Sequence, residues 1–521
     1  MQYPYFKAPT YENFNEMLCG LYEHSKNKTA IEYYQDDSLF KISYEELINE
    51  IANVYYYFKR SSVQGKHIAI VSENRYEYIV MYIASLFNNV IVPIDKELTK
   101  IQLLKLVEEF DIDKIICTNK TFEKVADCQV DCINLDESYS SMINSGNRIV
   151  DFLMETHNTD KDRFAVLVFS SGTNGDMKGI MLSQYNIIIN IRGSLENNIL
   201  KSPTLSILPM NHTFGFSPGV LASLYNSCTL CLNMDIKDLG RDIKRFKPYF
   251  IGGVPMIVEG IYDNIEREII AERKEKSFNR LKSLTKFLLR FGIDIRRNVF
   301  DFILPKRLKL IVSGGAELNS KYVEKYKDLG IELLNGYGLT ECSPIISVCR
   351  QIDNVAGSSG TILNHIDIKI AEDGEILVKG PNVMLGYYKN EELTKSVFED
   401  GYFKTGDLGY KDEKNNKLYV TGRKSNLIIL SNGKNVSPEV LEEEIIKFGY
   451  VEECLVTTDK SSHKSLIAKV YMDKQHEEEF KHDLDDLNSR NPSYMAIYKY
   501  EIMNERFEKN SNKKIKRSLY V

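Results

Sequence analysis

Residues 170–179 read Ser-Ser-Gly-Thr-Asn-Gly-Asp-Met-Lys-Gly and lie between two apolar runs, 164–169 and 180–182. Gly172, Gly175 and Gly179 free the backbone to turn its N–H groups toward one point. Ser170, Ser171 and Thr173 add hydroxyl donors, and Lys178 brings a mobile positive charge. Such a set suits a polyphosphate, whose oxygens accept N–H and O–H bonds and whose charge needs a cation. A surface hairpin has a similar composition and stands as the alternative. The segment is not a Walker loop, because no Gly-Lys-Ser/Thr follows Gly172 or Gly175 at that spacing.

Two later strand-like runs open into loops of the same character. The run 308–312 leads into Ser313, Gly314, Gly315, Ala316 and Glu317, and the run 331–334 into Asn335, Gly336, Tyr337, Gly338, Leu339, Thr340, Glu341 and Cys342. Loops at strand ends are where a parallel sheet binds ligands. Tyr337 offers a flat face for a base, Thr340 a hydroxyl, and Glu341 a hard oxygen ligand for Mg2+ beside phosphates. Asp407, in the predicted turn Thr405-Gly-Asp-Leu408, could accept from two adjacent hydroxyls of a ribose, or could be a turn aspartate. His212, among aromatics in residues 209–217, is either a site wall or a packed core histidine, and the residues alone favour the core. Cys228 and Cys231 have C-x-x-C spacing but no second pair at zinc spacing, so they read as buried strand residues.

The elements that must position these residues alternate. Residues 44–60 read as a helix behind a Ser43 cap, 67–71 as a strand, 76–87 as a helix, and 90–92 as a strand stopped by Pro93. A helix over 100–110 and a strand over 114–117 repeat the pattern, and Ser183 is placed to cap a helix running through Asn190. Strands alternating with helices imply a mostly parallel, covered sheet. At 521 residues the chain exceeds one core, so two or more domains are expected, with the boundary at the polar interruption Lys424, Ser425.

A net charge of −6 with 43% hydrophobic and 27% charged residues predicts a soluble enzyme with no general affinity for nucleic acid. Nine scattered cysteines suit a reducing compartment, and neither a leader nor a spanning apolar run is expected, so the expected location is cytoplasmic. From Glu272 to Lys309 there are twelve Lys or Arg against four Asp or Glu, interleaved with Leu and Phe. This reads as a solvated helical face or, alternatively, as a basic amphipathic surface for membranes, acidic carriers or the phosphates of a nucleotide thiol.

Taken in order, these motifs resemble the adenylate-forming superfamily of acyl-CoA synthetases, peptide-synthetase adenylation domains and luciferases, over essentially the whole chain. The resemblance extends to Gly422-Arg423 and to residues 433–442, Gly-Lys-Asn-Val-Ser-Pro-Glu-Val-Leu-Glu. It implies an α/β fold: a large N-terminal domain, 1–424, of parallel-sheet subdomains plus a small β-rich one, then a small mobile α+β domain, 425–521. It also implies a two-step reaction, in which a carboxylate attacks the α-phosphorus of Mg-ATP and a thiol, that of coenzyme A or of a carrier's phosphopantetheine, then takes the acyl group.

By residue, the resemblance assigns Lys514 to the carboxylate and α-phosphate, Thr340 to the α-phosphate and Glu341 to Mg2+. Residues 170–178 become the phosphate loop, Tyr337 and the Gly314–Ala316 turn hold adenine, Gly336 and Gly338 belong to the ATP-binding set, and Asp407 and Arg423 hold the ribose. His212 then lines the acyl pocket, Lys424 and Ser425 form the hinge, and Gly433 lies on the thiol's path. The chain departs from the family pattern at Asn174, Ser425, Glu508 and Lys513.

Where amino-acid-activating relatives place an Asp after Phe in Phe-Asp-x-Ser, this chain has Phe214-Gly-Phe-Ser217. A buried substrate ammonium would lack its partner there, so an amino acid is disfavoured, and Gly215 is expected to leave room for an apolar tail. Residues 72–75 and 339–344 look most like long-chain fatty acid–CoA ligases. A medium- or long-chain fatty acid is therefore the expected substrate and CoA the expected acceptor. Loading of an acyl carrier protein and a non-catalytic nucleotide-binding role are the alternatives.

Overall fold

The computed structural model describes residues 5–35, 37–171, 177–316, 318–430, 434–458, 465–509 and 515–520. The chain forms two compact units, Met1–Asp367 with Val378–Phe403 and Ile368–Leu377 with Lys404–Val521. The expected 424/425 boundary lies inside the second unit.

The first unit contains a seven-stranded sheet in the order Gly386–Tyr387, Met177–Ser183, Phe164–Ser171, Val90–Ile94, His67–Val71, Lys114–Cys117, Asp131–Asn134. Its last five strands run parallel, and the hairpin Phe164–Ser171/Met177–Ser183 is antiparallel. Pro93 does not stop its strand: it pairs in register with Ile70, and the strand continues to Ile94. On the other side only Ile91↔Val166 joins this strand to its neighbour, and a proline is tolerated where a ladder is already sparse.

The helix Tyr44–Arg60 forms as its spacing predicts and packs against the helix Tyr76–Ser85. Ser43 and Glu46 close a capping box, Glu45 and Glu46 sit at the positive end of the helix dipole, and Lys59 and Arg60 at the negative end. Leu47, Ile48, Ile51, Val54, Tyr55 and Phe58 are buried along one face.

A second sheet in this unit runs Ser38–Ser43, Thr29–Gln35, Leu230–Leu232, Thr204–Ser206, Phe250–Gly253, Leu310–Ser313, Glu332–Gly338, Ile345–Val348, Gly360–Ile362. Cys231 is buried in one of its strands and Cys228 just before it, as expected. The strand expected to end at Leu334 instead continues through Gly338 and pairs antiparallel with Ile345–Val348. The reason is local: a Cβ at Gly338 would stand 1.8 Å from the Pro344 carbonyl oxygen, so only glycine lets the two strands approach here.

In the second unit a three-stranded sheet, Val451–Thr458, Leu466–Met472 and Ile497–Ile502, packs with the helices Pro438–Ile446 and Glu477–Arg490 around Leu441, Ile445, Val456, Ala468, Phe480 and Leu484. The segment 405–408 is not the turn expected from sequence. It lies within the strand Tyr402–Asp412, bulged between Leu408 and Gly409. The fold is α/β with mixed sheets, and among the described residues no helix is long and apolar enough to cross a membrane.

Candidate active site

The last rungs of the hairpin Phe164–Ser171/Met177–Ser183 pair Ser170 with Lys178 and Ser171 with Met177. Gly172, Thr173, Asn174 and Gly175 lie outside the described residues. Lys178 points over the ring of Tyr387, its Nζ 5.5 Å from the centroid. Tyr387 arrives on the short strand Gly386–Tyr387, which pairs antiparallel with Met177–Ser183.

Tyr387 also donates its hydroxyl to Glu341 Oε1 at 3.1 Å, and that acceptor and burial push the phenol's pKa upward, desolvation being the larger cause. One tyrosine thus ties the cation of the expected phosphate loop to the carboxylate expected to hold Mg2+. Nothing local in the sequence singles Tyr387 out, because its place depends on pairing across some two hundred residues.

The turn bearing Thr340 and Glu341 is fixed from beneath. The helix Gln184–Asn197 follows the Lys178 strand directly, behind a Ser183/Asn186 capping box. Its buried Asn190 donates to the carbonyls of Cys342 (3.2 Å) and Ile345 (2.7 Å) and accepts from Ile345 N. Asn382 Nδ2 donates to the Cys342 carbonyl as well, and Met384 N to that of Glu341. The donor chemistry fits Mg2+: one part-buried carboxylate with Oε1 held by Tyr387 suits an ion that keeps water and phosphate oxygens as its other ligands.

His212 is exposed rather than packed in the core, and it opens the short helix Thr213–Phe216. It borders a small cleft with Tyr82, Val168, Leu182, Met210 and Phe216. The protein mass around the ring lowers its pKa, with Asp95 opposing, so the imidazole is neutral at neutral pH.

A second small apolar cleft is lined by Ile207, Leu208, Phe214, Gly215, Gly252 and Val312. Phe214 lies over the Gly314 turn: a Cβ there would stand 2.8 Å from the ring. Gly215 has a different cause from the one expected. A Cβ at 215 would stand 2.2 Å from the Pro209 carbonyl oxygen, so glycine is required by backbone packing, and no side chain, acidic or otherwise, fits.

In the second unit Asp407 is buried and takes Arg423 Nε at 2.7 Å, the two residues facing each other across one antiparallel pair. Lys424 is held by Asp373 (2.6 Å) and Glu375 (2.7 Å), while Ser425 is exposed. Lys513, Lys514 and Gly433 lie outside the described residues.

The segment around Lys514 has a defined base. Lys509 bridges Ile515, and Arg517 donates to both Glu442 oxygens, at 2.9 and 2.6 Å, and to the Val456 carbonyl. Burial pushes the Glu442 carboxyl up to about 7, with Arg517 pulling it back.

The family model described as AMP-binding enzyme matches residues 22–388. The long-chain-fatty-acid–CoA ligase FadD15 of Mycobacterium bovis is 31% identical over 315 residues, covering 57% of this chain and 52% of that protein. A chloroplastic long-chain-fatty-acid–[acyl-carrier-protein] ligase of Arabidopsis thaliana is 29% identical over 399 residues, 61% of this chain and 54% of its own length. This chain therefore spans about half the length of these curated relatives. Among solved structures, the anthranilate CoA ligase AuaEII in complex with anthranoyl-AMP superimposes with a TM-score of 0.79 at 19% identity, over 98% of this chain and 97% of that one, which shows a shared fold. With most of its length matched by the family model, this chain belongs to the AMP-binding enzyme family.

Proposed function

We propose that the chain is an acid–thiol ligase that activates a medium- or long-chain fatty acid with ATP, releases pyrophosphate, and passes the acyl group from the adenylate to coenzyme A. The observation that carries this reading is the Lys178–Tyr387–Glu341 arrangement within the same compact unit as apolar clefts edged by His212 and Phe214. Adenylation gathers negative charge at the α-phosphate, and pre-aimed donors and cations stabilise that charge more in the transition state than in the ground state.

In this reading Lys178 and the hydroxyls of Ser170, Ser171 and Thr173 hold the phosphates, and Thr340 donates to the α-phosphate. Tyr337 and residues 314–316 hold adenine. Asp407, oriented by Arg423, takes the ribose hydroxyls. Glu341 would hold Mg2+, which when bound neutralises phosphate charge. Lys514 bridges carboxylate and α-phosphate, and Lys424 and Ser425 are the hinge that lets the small domain, 425–521, serve both steps, with the thiol entering past Gly433. The neutral imidazole of His212 walls the acyl cleft without adding a charge there. The FadD15 relative supports a fatty acyl substrate. The carrier-protein ligase among the relatives keeps a carrier thiol as the second reading of the acceptor.

The test is carboxylate-dependent exchange of labelled pyrophosphate into ATP across fatty acids of graded length, aromatic acids and amino acids. Exchange is expected with fatty acids, with a loss of about a hundredfold or more in Lys514→Ala, and added CoA should yield a thioester. Exchange without a CoA thioester selects the carrier reading. Exchange with aromatic acids alone moves the substrate to that class, and no exchange with any acid removes the enzyme reading.

A further inference from the structure

The helix Glu275–Leu289 has two faces that differ in what they touch. Its inner face buries Phe278 and Thr285 and packs Leu281 on the cluster of Val258, Tyr262 and Phe300. Lys282 and Lys286 both reach Asp328, at 3.0 and 2.7 Å, which fixes the helix's rotation about its axis.

Positions 276, 280, 284, 287 and 291 then fall along the opposite, outward side. There Leu284, Phe287 and Phe291 are 50–66% exposed, and the two phenylalanine rings stack edge to face on each other, 5.1 Å between centroids. Ile293, just beyond, is equally exposed. Lys276, Arg280 and Arg290 are exposed and form no ion pair among the described residues.

A solvated helix face carries charges without large apolar side chains between them, and a core face carries no unpaired cations. Protruding aromatics flanked by free cations have the chemistry of an interfacial helix, whose apolar side chains enter the acyl boundary while its cations meet anionic headgroups. The chain's net charge of −6 makes this a local attraction, set against the protein's overall repulsion from such a surface. An acidic protein partner would satisfy the cations but would need a groove for two adjoining rings, whereas a bilayer takes them without one.

We propose that the outward face of Glu275–Leu289, with Arg290, Phe291 and Ile293, docks the protein on an anionic lipid bilayer. The cluster that seats the inner face of this helix also contains Ile207 and Leu208, which line the cleft beneath Phe214. On the acyl-substrate reading, docking sets the acyl-binding unit against the phase in which long-chain acids dissolve. The docking itself does not depend on that reading, and its test measures binding rather than turnover.

The chain has no tryptophan, so Phe287→Trp installs a unique fluorophore on the face. The full chain is titrated with vesicles of phosphatidylcholine alone and of equimolar phosphatidylcholine and phosphatidylglycerol, at low and high salt. A blue shift with the anionic vesicles, quenched by brominated acyl chains and weakened by salt, is expected. Adding Arg280→Glu and Arg290→Glu should weaken partitioning at least about tenfold, with an unchanged thermal melt because both side chains are exposed. The proposal is overturned by the absence of a shift with either vesicle, by equal partitioning of the charge-reversed protein, or by a shift that appears with protein concentration in the absence of lipid. The last result would assign the face to a second copy.

Discussion

At Gly338 the nearest atom to a hypothetical Cβ is a backbone carbonyl oxygen, which cannot rotate away as a side chain would. Gly338→Ala should therefore push the strand apart from Ile345–Val348, cost about 1–3 kcal/mol of stability, and displace the turn that carries Thr340 and Glu341. Urea unfolding gives the first quantity, and pyrophosphate exchange the second. His365 makes a different kind of residue-level prediction. Its ring lies against Gly193, its Nε2 has no hydrogen-bond partner among the described residues, and burial together with Arg192 lowers its pKa to about 4 from 6.5. A base whose folded pKa is depressed contributes full stability above the unfolded pKa and loses it as pH falls through 6.5 toward 4. Between about pH 7 and about pH 5 the fold should lose about 2 kcal/mol from this group. His365→Gln should flatten that part of the profile, and a variant with the same slope as the parent would show that His365 is not its source.

Elements decide which residues meet, and that is where the sequence is least informative. The hairpin that pairs Ser170 with Lys178 is legible because its apolar runs and glycines are contiguous, and the Ser43 cap is legible because a capping box is a four-residue signal. Tyr387 is not, because what places it beside Lys178 and Glu341 is a two-residue strand pairing with a distant one. Nor is the true cause of Gly215: a glycine left free for a ligand and a glycine crowded by a carbonyl have the same letter, and only the packing of Pro209 separates them. The C-terminal tail is a similar case. Its base is held by Arg517 on Glu442, and Lys509 pairs with Ile515 in an isolated bridge. Arg517→Ala strands a buried carboxylate once Glu442 is ionised, and should cost about 3 kcal/mol at alkaline pH, well above the value of about 7 to which that carboxyl is pushed. The loss should shrink in acid, where Glu442, already pushed up to about 7, takes a proton and no longer needs the guanidinium. Denaturation at acidic and alkaline pH tests this. A pH-independent loss would mean that Arg517 acts through packing rather than charge.

For the whole molecule, the proposed function has one chain serve two reactions, with the adenylation lysine and the thiol's path both assigned to residues after 425. The division into two compact units does not by itself require motion between them. Backbone geometry at the junction offers a direct test. Arg423 is extended, with φ −107° and ψ 134°, and Lys424 opens a short 3-10 turn through Asn426. An extended residue followed by the first position of a turn is where proline fits without strain. Lys424→Pro should thus preserve the described arrangement while freezing φ at that residue. It also removes the ion pairs with Asp373 and Glu375, so Lys424→Ala, which removes them and leaves φ free, is the control. If residues 424 and 425 are a hinge, the alanine variant keeps both half-reactions within a few-fold, while the proline variant keeps one and slows the other by at least about tenfold. Pyrophosphate exchange reads the first half-reaction, and thioester formation from preformed acyl-adenylate reads the second. Equal slowing of both steps in the two variants would trace the effect to the lost ion pairs. Unchanged rates in both would remove rotation about this residue from the mechanism and leave the two steps to a site that does not rearrange there.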